Sequence, residues 1–137
     1  MVELLVVVGI IATLATMFFL YFRDVRARAR DGIRASDMDG LVKALVFYES
    51  ENEFAYPSSA SCTDGRCTDD SGVTPWIPGL VERYASKLPL DPYAGQYVYI
   101  SPFGGYRYVL YYTPEEVEPN DPCGVGLPVV SVCEDAL

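Results

Sequence analysis

The sequence predicts an α+β chain: one long N-terminal helix, about residues 1–53, whose C-terminal half packs against a small antiparallel β-sheet head. Three observations predict it. Residues 4–22 are 19 consecutive positions without a charge, with Glu3 alone before them. Residues 23–53 contain no proline and repeat apolar residues at helical spacing. Two late runs, Gln96–Ser101 and Tyr106–Thr113, are rich in β-branched and aromatic residues and are separated by Pro102-Phe103-Gly104-Gly105.

The first segment, residues 1–22, is apolar all round. Nineteen residues at about 1.5 Å each make about 28 Å of helix, close to the thickness of a bilayer core. A secretory signal peptide carries a basic flank before its apolar run and a small-residue cleavage site after it. Here no Lys or Arg precedes the run, and Arg23-Asp24-Val25-Arg26-Ala27-Arg28-Ala29-Arg30 follows it. Glu3 sets this segment apart from a plain anchor. A carboxylate at the edge of hydrocarbon costs several kcal/mol unless a cation answers it. An α-amino group, with an ordinary pKa near 8, is the natural partner, and a neighbouring copy shifted along the helix axis can offer one.

The second segment, residues 23–53, is apolar on one side, where Met38, Leu41, Val42, Leu45 and Tyr48 recur. The change of pattern marks where a head begins to pack on the helix. Arg23, Arg26, Arg28, Arg30 and Arg34 read as a solvated face that meets acids such as Asp24, Asp31 or Asp37 of neighbouring copies, in preference to a lipid-headgroup site.

Residues 54–95 read as a loop region with one short helix, Gly79–Leu88, stopped by Pro89. Residues 96–137 read as an antiparallel sheet closed by a C-terminal disulfide loop. Its hairpin is Gln96–Thr113, and a third strand is expected at about Leu127–Cys133. Alternation places Val98 and Ile100 on one face and Tyr97 and Tyr99 on the other.

Charge is split along the chain. Residues 1–36 carry five Arg and three acids, net +2, and residues 37–137 carry 5 basic and 16 acidic residues, net −11. So acidic a head disfavours direct nucleic-acid binding and suits a water-facing surface. The chain has no His, which removes the commonest general base and metal ligand, and no catalytic site is expected. The four cysteines form two local pairs, and of the three possible connectivities Cys62–Cys67 with Cys123–Cys133 is favoured. Spacings of four and nine intervening residues without His fit structural zinc poorly. No cofactor is expected. Calcium on Asp64, Asp69 and Asp70 is the remaining metal reading, at a spacing unlike the helix–loop–helix calcium pattern. The eleven tyrosines suit half-exposed strands and interfaces, and no haem-ligation pattern accompanies them.

Val2-Glu3-Leu4-Leu5-Val6-Val7-Val8-Gly9-Ile10-Ile11-Ala12-Thr13-Leu14-Ala15 resembles the N-terminal segment of type IV pilins and type II secretion pseudopilins. Arg26–Asp31, Asp37–Tyr48, Tyr56-Pro57 and the Leu88-Pro89-Leu90-Asp91-Pro92 turn resemble later family motifs. The resemblance implies a leader removed by a prepilin peptidase, a methylated mature N-terminus, and Met1 at the third mature position. It implies that Glu3 pairs with a neighbour's N-terminus, while Leu4, Leu5, Val6, Val7, Val8, Ile10, Ile11 and Leu14 bundle in a helical homopolymer. An assembly platform is the implied partner. The implied location is the cytoplasmic membrane before assembly and an extracellular filament after it. Leu20 stands where many members have a helix-softening proline. The leading expectation is the major pilin of a type IV pilus. The alternatives are the major pseudopilin of a type II secretion system and a solitary membrane-anchored binding module.

Overall fold

The computed structural model describes residues 2–70, 72, 75–102, 105–124, 126 and 129–135. Helix α1 runs Val2–Glu51 without interruption, so the expected long helix is present almost to its expected end. It stops because Glu53 and Phe54 take φ of 56° and 61°, the left-handed region that side chains enter at a cost of about 1 kcal/mol each. Asn52 caps the last turn, its amide nitrogen donating to the Tyr48 carbonyl at 2.7 Å, while Phe54 N–H reaches the Glu49 carbonyl at 3.2 Å. The Tyr56 N–H then bonds the Gly105 carbonyl at 2.7 Å and ties the exit of the helix to the far end of the sheet.

Four antiparallel strands follow in spatial and sequence order: β1 Cys67–Thr68, β2 Tyr97–Ile100, β3 Arg107–Tyr112 and β4 Val130–Asp135. Tyr97 lies opposite Tyr112, Tyr99 opposite Leu110, and Leu110 opposite Val132. The sheet is wider than residues 96–137, because β1 comes from the expected loop region and pairs Cys67 with Tyr99. Two residues are too few to show a strand period in sequence. The third expected strand is β4; Leu127 and Pro128, placed in it from sequence, lie outside the described residues, as do Phe103 and Gly104 of the hairpin loop.

The core forms where one face of the sheet meets one stripe of α1. Met38, Leu41, Ala44 and Leu45 from the helix meet Tyr97, Tyr99, Tyr108, Leu110 and Tyr112 from the sheet, with Trp76, Ile77, Leu80 and Leu88 closing the side. The tyrosine face, not the Val98 face, covers the helix. Large rings fill the wide gap between helix and sheet, and the hydroxyls of Tyr97 and Tyr99 reach polar groups at its margin. Tyr97 donates to Asp37 at 2.8 Å and Tyr99 to the Pro57 carbonyl at 2.7 Å. On the opposite face Val98 and Tyr111 bury against Val129.

Gly79–Leu88 is not a helix. Gly79 and Glu82 have φ of 76° and 80°, and the turn is closed by Ala85 N–H on the Leu80 carbonyl at 3.1 Å. Burying both Leu80 and Leu88 in the core overrides the weak helical preference of this stretch. Both expected disulfides are present, with Cα separations of 5.0 Å for Cys62–Cys67 and 5.7 Å for Cys123–Cys133.

Candidate assembly interface

Among the described side chains of residues 2–22, all are exposed except the half-buried Ala15. Leu4, Leu5, Val6, Val7, Val8, Ile10, Ile11 and Leu14 are all exposed, Leu5 at 70% and the least exposed of them, Val8, at 53%. Glu3, also exposed, is the one acid of the first turn, and Met1, which precedes it, lies outside the described residues. Phe18 and Phe22 contact each other with ring centroids 4.2 Å apart. This apolar rod is long enough to cross a membrane. Its exposed surface is far beyond the few hundred Å² that a water-soluble monomer leaves uncovered, so lipid or protein must cover it.

The rod joins the head through a buried ionic clamp. Arg34 lies on the seam of α1 that faces the head and is 1% exposed. Its guanidinium donates to both oxygens of Asp91 at 2.6 and 3.0 Å, to Asp31 at 2.8 Å and to Glu115 at 2.7 Å. Asp31 is as buried as Arg34. Its carboxylate accepts the backbone N–H groups of Glu115, Glu116 and Val117 at 2.8 to 3.1 Å. Arg30 pairs with Glu115 from the open side and stacks over the Tyr93 ring at 4.5 Å. One helical turn thus grips the loop before β2, through Asp91, and the loop after β3, through Glu115 to Val117. Because Tyr97 pairs with Tyr112, these are the two open ends of one hairpin.

The electrostatics follow from this geometry. Burial alone raises the Asp31 carboxyl, but the loop N–H donors and Arg34 outweigh it and hold it below the ordinary carboxylate range. Asp91 is held low in the same way by Arg34 and by the N–H groups of Tyr93 and Gly95. Glu115 is lowered by its hydrogen bond to Arg30, then by Arg34. The bonds to Asp91, Asp31 and Glu115 raise the Arg34 guanidinium further above its already high value. Gly95 makes the packing feasible: a Cβ there would lie 2.7 Å from an Asp91 oxygen and 3.1 Å from an Arg34 nitrogen.

This clamp corrects the sequence reading of the arginine run. Arg34 is neither solvated nor offered to a neighbour, and Arg30 and Asp31 are committed within the chain; Arg23, Arg26 and Arg28 remain exposed. The signal was present in the spacing. Ala27, Asp31, Arg34, Met38, Leu41 and Leu45 alternate steps of four and three, and all are buried. Two opposite charges at consecutive seam positions mark an internal pair.

The candidate calcium acids are turned to other uses. Asp69 accepts the N–H groups of Asp91 at 2.6 Å and Tyr97 at 3.0 Å, fixing the start of β2. Burial pushes its carboxyl up, the N–H bonds opposing that rise. Asp70 accepts from Gln96, and Asp64 sits in the Thr63–Gly65 turn. Among the described residues no three acids or cysteines converge on one point as a metal centre would require.

No family model matches the chain, and no solved structure matches it at a significant level. Among curated proteins it is similar to the type II secretion system core protein G of Pseudomonas aeruginosa, 28% identical over 102 residues, which covers 74% of this chain and 71% of that protein. The long helix, half exposed and half packed on a four-stranded antiparallel sheet, is an α+β arrangement like that of pilins, and together with this similarity it fits the type IV pilin and pseudopilin family.

Proposed function

We propose that the chain is a structural, non-catalytic filament subunit that waits in the cytoplasmic membrane and polymerises through the apolar half of α1, with Glu3 setting the register. The observation that carries this reading is a bare apolar rod with one acid at its end, fixed to an acidic head. Leaving lipid for a bundle of like helices removes no apolar surface from water. The driving terms are therefore helix–helix packing and relief of the isolated carboxylate. Glu3 meets a neighbour's amine at one axial offset only, so it selects one helical arrangement. Such contacts are heterologous and do not close, which yields an open fibre.

The similar protein and the Asp91-Pro92 turn favour the short filament of a type II secretion system as the setting. The Cys123–Cys133 pair favours the second reading, the major pilin of a surface pilus. In the producing cell, Glu3→Ala is expected to leave membrane insertion intact and to abolish sedimentable filaments. Normal filament yield from that variant contradicts the role. Long fibres in a sheared surface fraction separate the pilus from the periplasmic filament, and a monomer in detergent with no fibre in any fraction supports the anchored module instead.

A further inference from the structure

The head carries a second pair of features that the apolar rod does not use. On one flank, a groove of about 640 Å³ opens between α1 and the segment leading to Pro89. Its apolar lining includes Phe47, 65% exposed, and Leu90, 52% exposed. Lys43 and Lys87, the only lysines of the chain, both line it. Asp37, the acid in its lining, is engaged by the Tyr97 hydroxyl. Two of the five basic residues in a region of net −11 thus line this groove; of the other three, Arg66 donates to Tyr111, Arg83 pairs with Glu51, and Arg107 stands at the start of β3.

On the other flank the loop after β3 presents Glu116, Val117 and Glu118, all exposed, an apolar side chain between two carboxylates. The clamp holds the backbone of this loop rigid through Asp31, while Arg30 and Arg34 are spent on Glu115. Neither Glu116 nor Glu118 pairs with a cation among the described residues.

The two features lie on different sides of the same helix. At about 100° per residue, Lys43 points about 120° and Phe47 about 160° away from Asp31, which faces the loop. Their axial separation from Asp31 is about 18 to 24 Å. A parallel copy displaced by about that distance along the axis has its loop level with the groove of its neighbour. Charge and apolarity match: two acids for two lysines, and one valine for the exposed Phe47 and Leu90. We propose that the Glu116-Val117-Glu118 loop of one subunit docks in the Lys43/Lys87 groove of a second copy of this chain, forming a head-to-head contact along the filament. This rests on the filament reading of the previous subsection. The contact is heterologous, as an open helix of subunits requires, and it lets heads that would otherwise repel approach closely.

The test is a charge swap in the full chain, expressed with its assembly machinery and read as sedimentable polymer. Lys43→Glu with Lys87→Glu, and Glu116→Lys with Glu118→Lys, are each expected to lower polymer at least tenfold. The four changes together are expected to restore it to within about threefold of the parent. Unchanged thermal midpoints of the detergent-solubilised variants establish that the heads are folded. Normal polymer from either double variant overturns the docking while leaving the filament reading in place. Loss in both doubles without recovery in the quadruple variant also overturns it, since each patch then meets something other than its proposed mate. Absence of polymer from the parent overturns the filament reading itself.

Discussion

Replacing Arg34 with methionine tests whether the clamp, and not only the aromatic core, holds the head on its helix. Methionine keeps much of the stem and the helix propensity and removes the charge. Four charge-assisted hydrogen bonds to three carboxylates are lost. Taken singly such bonds contribute about 1.5–3 kcal/mol each, but they do not add here. Asp31 keeps its loop N–H donors, Asp91 keeps those of Tyr93 and Gly95, and Glu115 keeps Arg30. The expected loss is the 3–5 kcal/mol typical of removing one partner from a buried ionic cluster. At a urea dependence of about 1.5 kcal/mol per molar, a loss of about 4 kcal/mol lowers the midpoint by about 2.5 M. The assay is urea unfolding of the detergent-solubilised chain, followed by fluorescence of Trp76, the single tryptophan, which is buried in the core. Arg28→Met, on the exposed side of the same helix, serves as the control and is expected to cost under about 0.5 kcal/mol. An Arg34→Met midpoint within about 0.5 M of that control refutes the reasoning, because the carboxylates would then be satisfied without the guanidinium.

The clamp also sets an acid limit. Asp31, Asp91 and Glu115 all have folded pKa values below their ordinary ones, so their contribution is fully present above about pH 5 and is lost as pH falls through the depressed values. Urea midpoints of the parent are expected to drop steeply below about pH 4, and those of Arg34→Met to drop much less. Gly95→Ala forces a methyl group against Asp91 and Arg34 and is expected to cost about 1–3 kcal/mol in the same unfolding assay. Leu45→Ala, at a fully buried position between helix and sheet, is expected to cost about 2–5 kcal/mol and to leave membrane insertion unchanged.

The helix and the hairpin were legible in sequence because each has a period: apolar residues every three to four positions on α1, and alternate large residues on β2 and β3. The two disulfides were legible from local pairing. The clamp was not, because Arg and Asp are so rarely buried that a run such as Arg26–Asp31 reads as surface. Only the seam rule, applied without regard to residue type, places Asp31 and Arg34 inside. β1 was illegible for lack of length, and the Gly79–Leu88 stretch misled because its leucines answer to the core and not to a helical face. The exposed rod with Glu3 was the plainest feature of the sequence, and the fold adds to it the direction in which the head is held.

The placement of Arg34 has a mechanical consequence. A pull on the stem meets the head first at the helical turn of Asp31 and Arg34, which passes it to the two open ends of the β2–β3 hairpin. Tension then loads those strands side by side at the same end, while Tyr56 anchors the opposite end through Gly105. Farther along the same unbroken helix, Met38, Leu41 and Leu45 carry the remaining load directly into the tyrosine layer, so the guanidinium and the aromatic core share the traction.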